Sequence, residues 1–243
     1  MVLYRPFEYF FLMAMRKAEF EDSEAIRYIA SNAGYIDYIS SNLNSMIQSE
    51  NLFVYVDDGK IKGFFSLEDT GQMWISALRV HPEYRRSGIA MSMMKWADEY
   101  ARSLSLHTMG GLVEAHNEPS INLFKSQGFT EKCRYLSVFG NPRVNNLRKC
   151  TEIDAFPDYL LLDWKVIFNI EYGKMIGNLE IATDDEDNQF IKSGDFFYAL
   201  EIKGNLNLNE GGFTAIPLDI VPLNYTSQHN PETYEFIYLS KTI

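Results

Sequence analysis

The stretch from Ile75 to Ala97 fits a strand, a tight basic loop and a helix in immediate succession. Ile75, Ala77, Leu78 and Val80 end an apolar run, and Pro82 marks a turn. Arg85-Arg86-Ser87-Gly88 follows, and then Ile89, Met93, Met94, Trp96 and Ala97 fall at helical spacing. Amide N–H groups at the start of a helix, with arginines beside them, form a site for a phosphate-bearing ligand. Gly88 lets the backbone approach such a ligand with no Cβ in the way. Taken alone, the loop reads equally well as a solvated turn.

The spacing Arg85-x-x-Gly88-x-Ala90 resembles the acyl-CoA loop of the GNAT family of N-acetyltransferases. That loop reads Gln/Arg-x-x-Gly-x-Gly/Ala and lies between the family's fourth strand and third helix. Further on, Asn117-Glu118-Pro119-Ser120-Ile121-Asn122-Leu123-Phe124-Lys125-Ser126-Gln127-Gly128-Phe129 resembles the same family's strand-Asn-helix-Gly-Phe signature. The resemblance implies an α/β (α+β) GNAT fold over residues 15–140, with a central mixed sheet whose strands splay. The element order agrees with it. Asp22, a candidate N-cap, precedes a helical period at Ala25, Ile26 and Ile29, and a second helix is expected over 35–48. Asp58-Gly59 between two apolar runs marks a hairpin. Strands are then expected over 72–80, 111–115 and 129–139, with helices over 89–103 and 120–126.

The same resemblance implies acetyl-CoA as co-substrate, held between the splayed strands 72–80 and 111–115. The backbone of Leu78, Arg79 and Val80 would take the pantetheine arm as an added strand would. The Val80 N–H would donate to the thioester oxygen, where negative charge develops. Arg85, Arg86, Ser87, Gly88, Ile89 and Ala90 would surround the pyrophosphate, and Asn117 and Phe124 would border the CoA arm. Asn117 has a second reading as a helix N-cap.

Attack on the thioester needs a neutral amine, hence a group or water to take a proton. The family's usual acid is a tyrosine, where this chain has Phe124, and the usual strand glutamate is missing from 72–80. Glu114, beside His116, is the candidate base, with an ordinary surface glutamate as the alternative. Tyr135 is a candidate acid, with a core tyrosine as the alternative. CoA thiol also leaves fairly well unaided near neutral pH. The expected activity is acetyl transfer to a primary amine of a small molecule or amino acid. A protein or peptide acetyltransferase and a catalytically silent acyl-CoA binder are the alternatives.

Charge divides the chain. Residues 1–149 balance 17 basic against 17 acidic side chains, whereas 150–243 hold 5 lysines against 16 acidic residues. This break suggests a separate acidic, β-rich unit over 150–243, after a punctuating Gly140-Asn141-Pro142-Arg143. It leaves no basic face for nucleic acid. The run Asp184-Asp185-Glu186-Asp187-Asn188 lacks the glycine and final glutamate of an EF-hand loop and reads as a solvated loop. Four histidines without ligand spacing predict no metal. Two cysteines, Cys133 and Cys150, fit a reducing, cytoplasmic setting. Residues 1–14 read as an extension too short and too polar to span a bilayer, so no membrane association is expected. A homodimer is compatible with the sequence.

Overall fold

The structure is a computed structural model, and it describes residues 13–33, 38–150, 157–168, 179–221 and 233–243. The chain divides into two units, residues up to Met109 together with Thr242–Ile243, and Gly110–Lys241. Of the expected segments, most of the extension, the start of the second helix and parts of the acidic unit over 150–243 lie outside the described residues.

The first unit runs β1 (Met13–Lys17), α1 (Ser23–Ser31), α2 (Ile39–Gln48), β2 (Leu52–Asp57), β3 (Lys60–Asp69), β4 (Met73–Val80) and α3 (Ile89–Ser103). Its four strands form an antiparallel meander in sequence order. Asp58 and Gly59 both adopt positive φ, the conformation that lets a two-residue turn follow the twist of its strands. Burial follows helical spacing: Ile26, Ile29 and Ala30 of α1 and Ile39, Leu43 and Ile47 of α2 join Leu52, Val54 and Phe64 in one core. On α3, Ile89, Met93, Met94, Ala97 and Ala101 are buried. Gly63 of β3 is needed for close approach, because a Cβ there would lie 2.9 Å from the Arg79 carbonyl and 3.0 Å from the Met93 sulfur.

Asp22 stands at the head of α1 but makes no side-chain cap. Its carboxylate instead accepts two bonds from the Arg16 guanidinium, at 2.6 and 2.8 Å, and one from the Glu19 N–H. Burial opposes its charge, but these three donors outweigh burial and hold the carboxyl below its ordinary range.

The second unit carries β5 (Thr108–Glu114), whose first two residues belong to the first unit, then α4 (Glu118–Ser126) and β6 (Thr130–Pro142). There follow β7 (Val144–Lys149), β8 (Tyr159–Leu162), β9 (Lys165–Phe168), β10 (Glu180–Asp184), β11 (Gln189–Ser193), β12 (Phe196–Glu201), β13 (Leu208–Pro217) and β14 (Thr233–Thr242). The strand order is β5-β14-β6-β13-β12-β11-β10-β7, with β8-β9 as a separate hairpin. The sheet is mixed, since β12 and β13 run parallel while β6 pairs antiparallel with both β13 and β14.

Two consequences bear on the sequence reading. The final strand lies between β5 and β6, so residues 233–242 belong to the same sheet as the GNAT-like segment. The acidic run at 184–188 is a closed turn: the Asp184 carboxylate accepts the N–H groups of Glu186 and Asn188 and the Asn188 amide. Asn188 Oδ1 accepts in turn from the N–H groups of Lys203 and Gly204.

Candidate active site

In the first unit, β4 carries a bulge. Phe64 pairs with Arg79 and Ser66 with Ser76, so Phe65 alone faces Ala77 and Leu78. Ala77 takes φ +56°, a left-handed conformation that an L-residue adopts at some cost. Beyond the bulge, Leu78, Arg79 and Val80 are only half-buried. The His81 N–H donates to the Lys62 carbonyl on β3. Because successive peptide groups alternate along a strand, the Val80 N–H points away from β3. This is the orientation an incoming extended ligand requires.

The loop after β4 is braced from within. Pro82–Tyr84 form a single tight turn, capped by the His81 ring, which accepts from the Glu83 N–H. The His81 ring packs between Tyr28 and Tyr84, at centroid distances of 5.2 and 5.1 Å, and the Lys62 ammonium lies 4.7 Å over Tyr84. The Arg85 guanidinium donates to the carbonyls of Asn32 (2.7 Å) and Val80 (3.4 Å). Its visible role is thus to tie the loop to the end of α1. Arg86 takes φ +62° and is exposed.

Gly88 takes φ +86° as the N-cap of α3, and a Cβ there would meet nothing within 4 Å. The glycine is therefore dictated by its backbone conformation, while the space in front of it stays open. No side chain caps the helix and no acidic residue occupies its first turn. The first N–H groups of α3 therefore have no side-chain cap, and the positive end of the helix dipole lies there.

In the second unit, Glu114 ends β5, with an oxygen 3.0 Å from Nε2 of His116; both side chains are partly open to solvent. Asn117 caps α4, its Oδ1 accepting from the Ser120 N–H at 3.2 Å. The cap reading of Asn117 is thereby realised, and the side-chain nitrogen is a further donor. Phe124 is buried, edge-on to Phe129 at 4.8 Å. Tyr135 is 1% exposed. Its hydroxyl lies 2.8 Å from the Cys133 sulfur and 3.4 Å from the Tyr159 carbonyl, with Tyr198 donating to that same carbonyl at 3.1 Å. Burial pushes the Cys133 thiol up to about 11. Tyr135 thus stands in a packed hydrogen-bonded cluster.

Sequence spacing does not reveal the Tyr28–His81–Tyr84 cluster or the Ala77 bulge. Tyr84 lies within the loop and could have been singled out, but Tyr28 is brought to it only by the fold. Among the described residues no group of three or more His, Cys, Asp or Glu side chains could hold a metal, and no helix is long and apolar enough to cross a membrane.

Comparison with known proteins bears on this arrangement. Residues 12–129 match the model of the acetyltransferase (GNAT) family. A candidate acetyltransferase structure from Thermoplasma acidophilum matches 95% of this chain and 100% of its own, with a TM-score of 0.65 and 17% identity. A GCN5-related N-acetyltransferase from Sphaerobacter thermophilus covers 95% of each chain, with a TM-score of 0.53 and 10% identity. The ribosomal-protein-S18-alanine N-acetyltransferase of Escherichia coli covers 51% of this chain and 81% of its own, with a TM-score of 0.47 and 21% identity. A comparison with curated proteins returns no match. The first two likenesses extend the fold over nearly the whole chain. The strand–loop–helix of β4 and α3 lies inside residues 12–129, the segment that matches the GNAT acetyltransferase family, whose acyl donor is acetyl-CoA.

Proposed function

We propose that the chain acetylates a primary amine of a small molecule or amino acid. The observation that supports this most is the uncapped start of α3 behind left-handed Gly88, next to the half-buried end of β4. The first feature suits the pyrophosphate of acetyl-CoA, and the second offers backbone groups to its pantetheine arm. Val80 would polarise the thioester carbonyl through its outward N–H, and exposed Arg86 would add charge beside the phosphates. Glu114, at the end of β5 and in contact with His116, would take the proton of the attacking amine.

Phe124 supports a second reading, because a phenyl ring has no proton to give and a silent acyl-CoA binder would need none. One assay separates the readings: release of CoA thiol from acetyl-CoA against panels of free amines, amino acids and N-terminal peptides. Turnover with the free amines is the expected result. Turnover with peptides alone would make this a protein acetyltransferase, and binding without turnover would make it a silent binder.

A further inference from the structure

In the second unit, the Ser137 hydroxyl makes no hydrogen bond among the described residues, although the residue is only 1% exposed. A hydroxyl left in that state costs stability, so its position calls for a reason. Ser137 lies in the middle of β6, opposite Tyr234 of β14 and Ala215 of β13. Directly opposite residues of antiparallel strands share a face, as do residues two apart on one strand. Phe236, opposite Tyr135, and Phe213, opposite Phe139, therefore share the face of Ser137, one step to either side of it. The Trp164 indole is edge-on to both rings, 4.8 Å from Phe213 and 5.5 Å from Phe236, and so bridges the strand that carries Ser137. Trp164 stands at the tip of the β8–β9 hairpin, where Leu162 pairs with Lys165. Such a two-residue turn takes positive φ at both positions and favours glycine at the second. Here Asp163 has φ +47° and Trp164 φ +61°, so a bulky residue holds a conformation that glycine would take without strain. The indole is half-buried and makes no hydrogen bond among the described residues, and its hairpin is a sheet separate from the one below. It can swing aside without breaking a ladder bond.

Glu114 borders the same face. The Ala115 N–H donates to the Glu235 carbonyl, and the Ile243 N–H to the His107 carbonyl. These two bonds fix an antiparallel register of β5 against β14 and set Glu114 opposite Phe236. Two strand spacings of about 4.8 Å and a two-residue offset at about 3.4 Å per residue put the α-carbons of Glu114 and Ser137 about 12 Å apart. After both side chains and a hydrogen bond at each end, that distance leaves room for one ring and a short chain. Resting on the acetyl-transfer reading above, we propose that the acceptor is a primary amine carried on a short chain by a flat apolar ring with one polar substituent. The ring lies against Trp164 and Phe236, the substituent hydrogen-bonds the Ser137 hydroxyl, and the amine stands at Glu114. Trp164 and Ser137 are thus the residues that set specificity, and a bound acceptor supplies the partner that the buried hydroxyl lacks.

The test compares kcat/KM for 4-hydroxybenzylamine, benzylamine and propylamine in the full chain, with thermal melts of each variant. Wild type should favour 4-hydroxybenzylamine over benzylamine, and benzylamine over propylamine, by at least about tenfold at each step. Ser137→Ala should bring the first ratio close to one. Trp164→Ala should lower the second at least about tenfold, with the loss falling on KM rather than kcat. Ser137→Ala should melt no lower than wild type, because it removes a hydroxyl that has no partner. If wild type turns over amines and both ratios are the same in the folded variants, the proposal falls while acetyl transfer stands. A Ser137→Ala protein that melts lower with its ratios unchanged would mean that buried water satisfies the hydroxyl, and this too overturns the proposal. If wild type releases no thiol with any of the three amines or with the wider panel, the acetyl-transfer reading itself fails and takes this proposal with it. Should Trp164→Ala prove unfolded, Ser137→Ala decides alone.

Discussion

Removing the last strand should unfold the GNAT segment, although that strand lies more than 100 residues beyond the segment's family signature. Thr233–Thr242 pairs with β6 from Thr233 opposite Val138 to Ser240 opposite Thr130, and the Ala115 N–H donates to the Glu235 carbonyl on its other side. Ile237, Tyr238 and Leu239 are each at most 3% exposed. At about 1.5–3 kcal/mol for each fully buried large side chain, the three contribute roughly 5–9 kcal/mol before any ladder bond is counted. That is comparable with the whole stability of a typical domain, about 5–15 kcal/mol. A chain ending at residue 150 should therefore be insoluble or lack a cooperative urea transition. The milder Leu239→Ala should lower the unfolding free energy of the full chain by about 2–5 kcal/mol. Circular dichroism and urea melts of both decide the matter. A 1–150 chain that melts cooperatively and binds acetyl-CoA like the intact protein would refute the reasoning.

Three further outcomes follow from single residues. Glu114→Gln should lower kcat by roughly 10²–10⁴-fold with acetyl-CoA affinity intact, and wild-type turnover in that variant would leave water as the proton acceptor. Asp22→Asn should destabilise the protein by about 1.5–3 kcal/mol at neutral pH, because it breaks the charge-assisted pair with Arg16. Since the Asp22 carboxyl is depressed in the folded state, that stability is present above its unfolded value near about 4 and lost as pH falls through the folded one. Urea melts of wild type and Asp22→Asn should accordingly converge in acid, and a constant difference down to low pH would contradict this. Gly63→Ala should cost about 1–3 kcal/mol in thermal or urea melts, because its Cβ would press on the Arg79 carbonyl, a backbone atom that cannot swing aside.

Local chemistry made part of this molecule legible from its sequence. The Asp58-Gly59 turn, the burial period of α1 and the strand–loop–helix around Gly88 each depend on residues close together in the chain, so spacing alone reveals them. The rest depends on contacts between distant segments. Nothing local in Thr233–Thr242 says that it pairs between β5 and β6, since an antiparallel edge of suitable alternation could be met by many strands. Asp22 precedes a helix as a cap would, yet an arginine six residues earlier on β1 takes its carboxylate. Arg85 belongs to a phosphate-loop pattern, but the Asn32 carbonyl draws its guanidinium toward the end of α1. The same holds for the site. The loop and Gly88 are visible as a pattern, whereas the bulge at Ala77 arises only when β3 and β4 pair.

The central claim is that acetyl-CoA binds through the backbone at the start of α3, and calorimetric titration of acetyl-CoA into wild type and Gly88→Val tests it most directly. Gly88 holds φ +86°, which a β-branched residue resists, and its open front is where the pyrophosphate would lie. The predicted result is saturable binding to wild type and an affinity at least about tenfold weaker, a loss of about 1.4 kcal/mol or more, in a Gly88→Val protein whose far-UV spectrum is unchanged. Equal affinity in the two folded proteins would contradict the account.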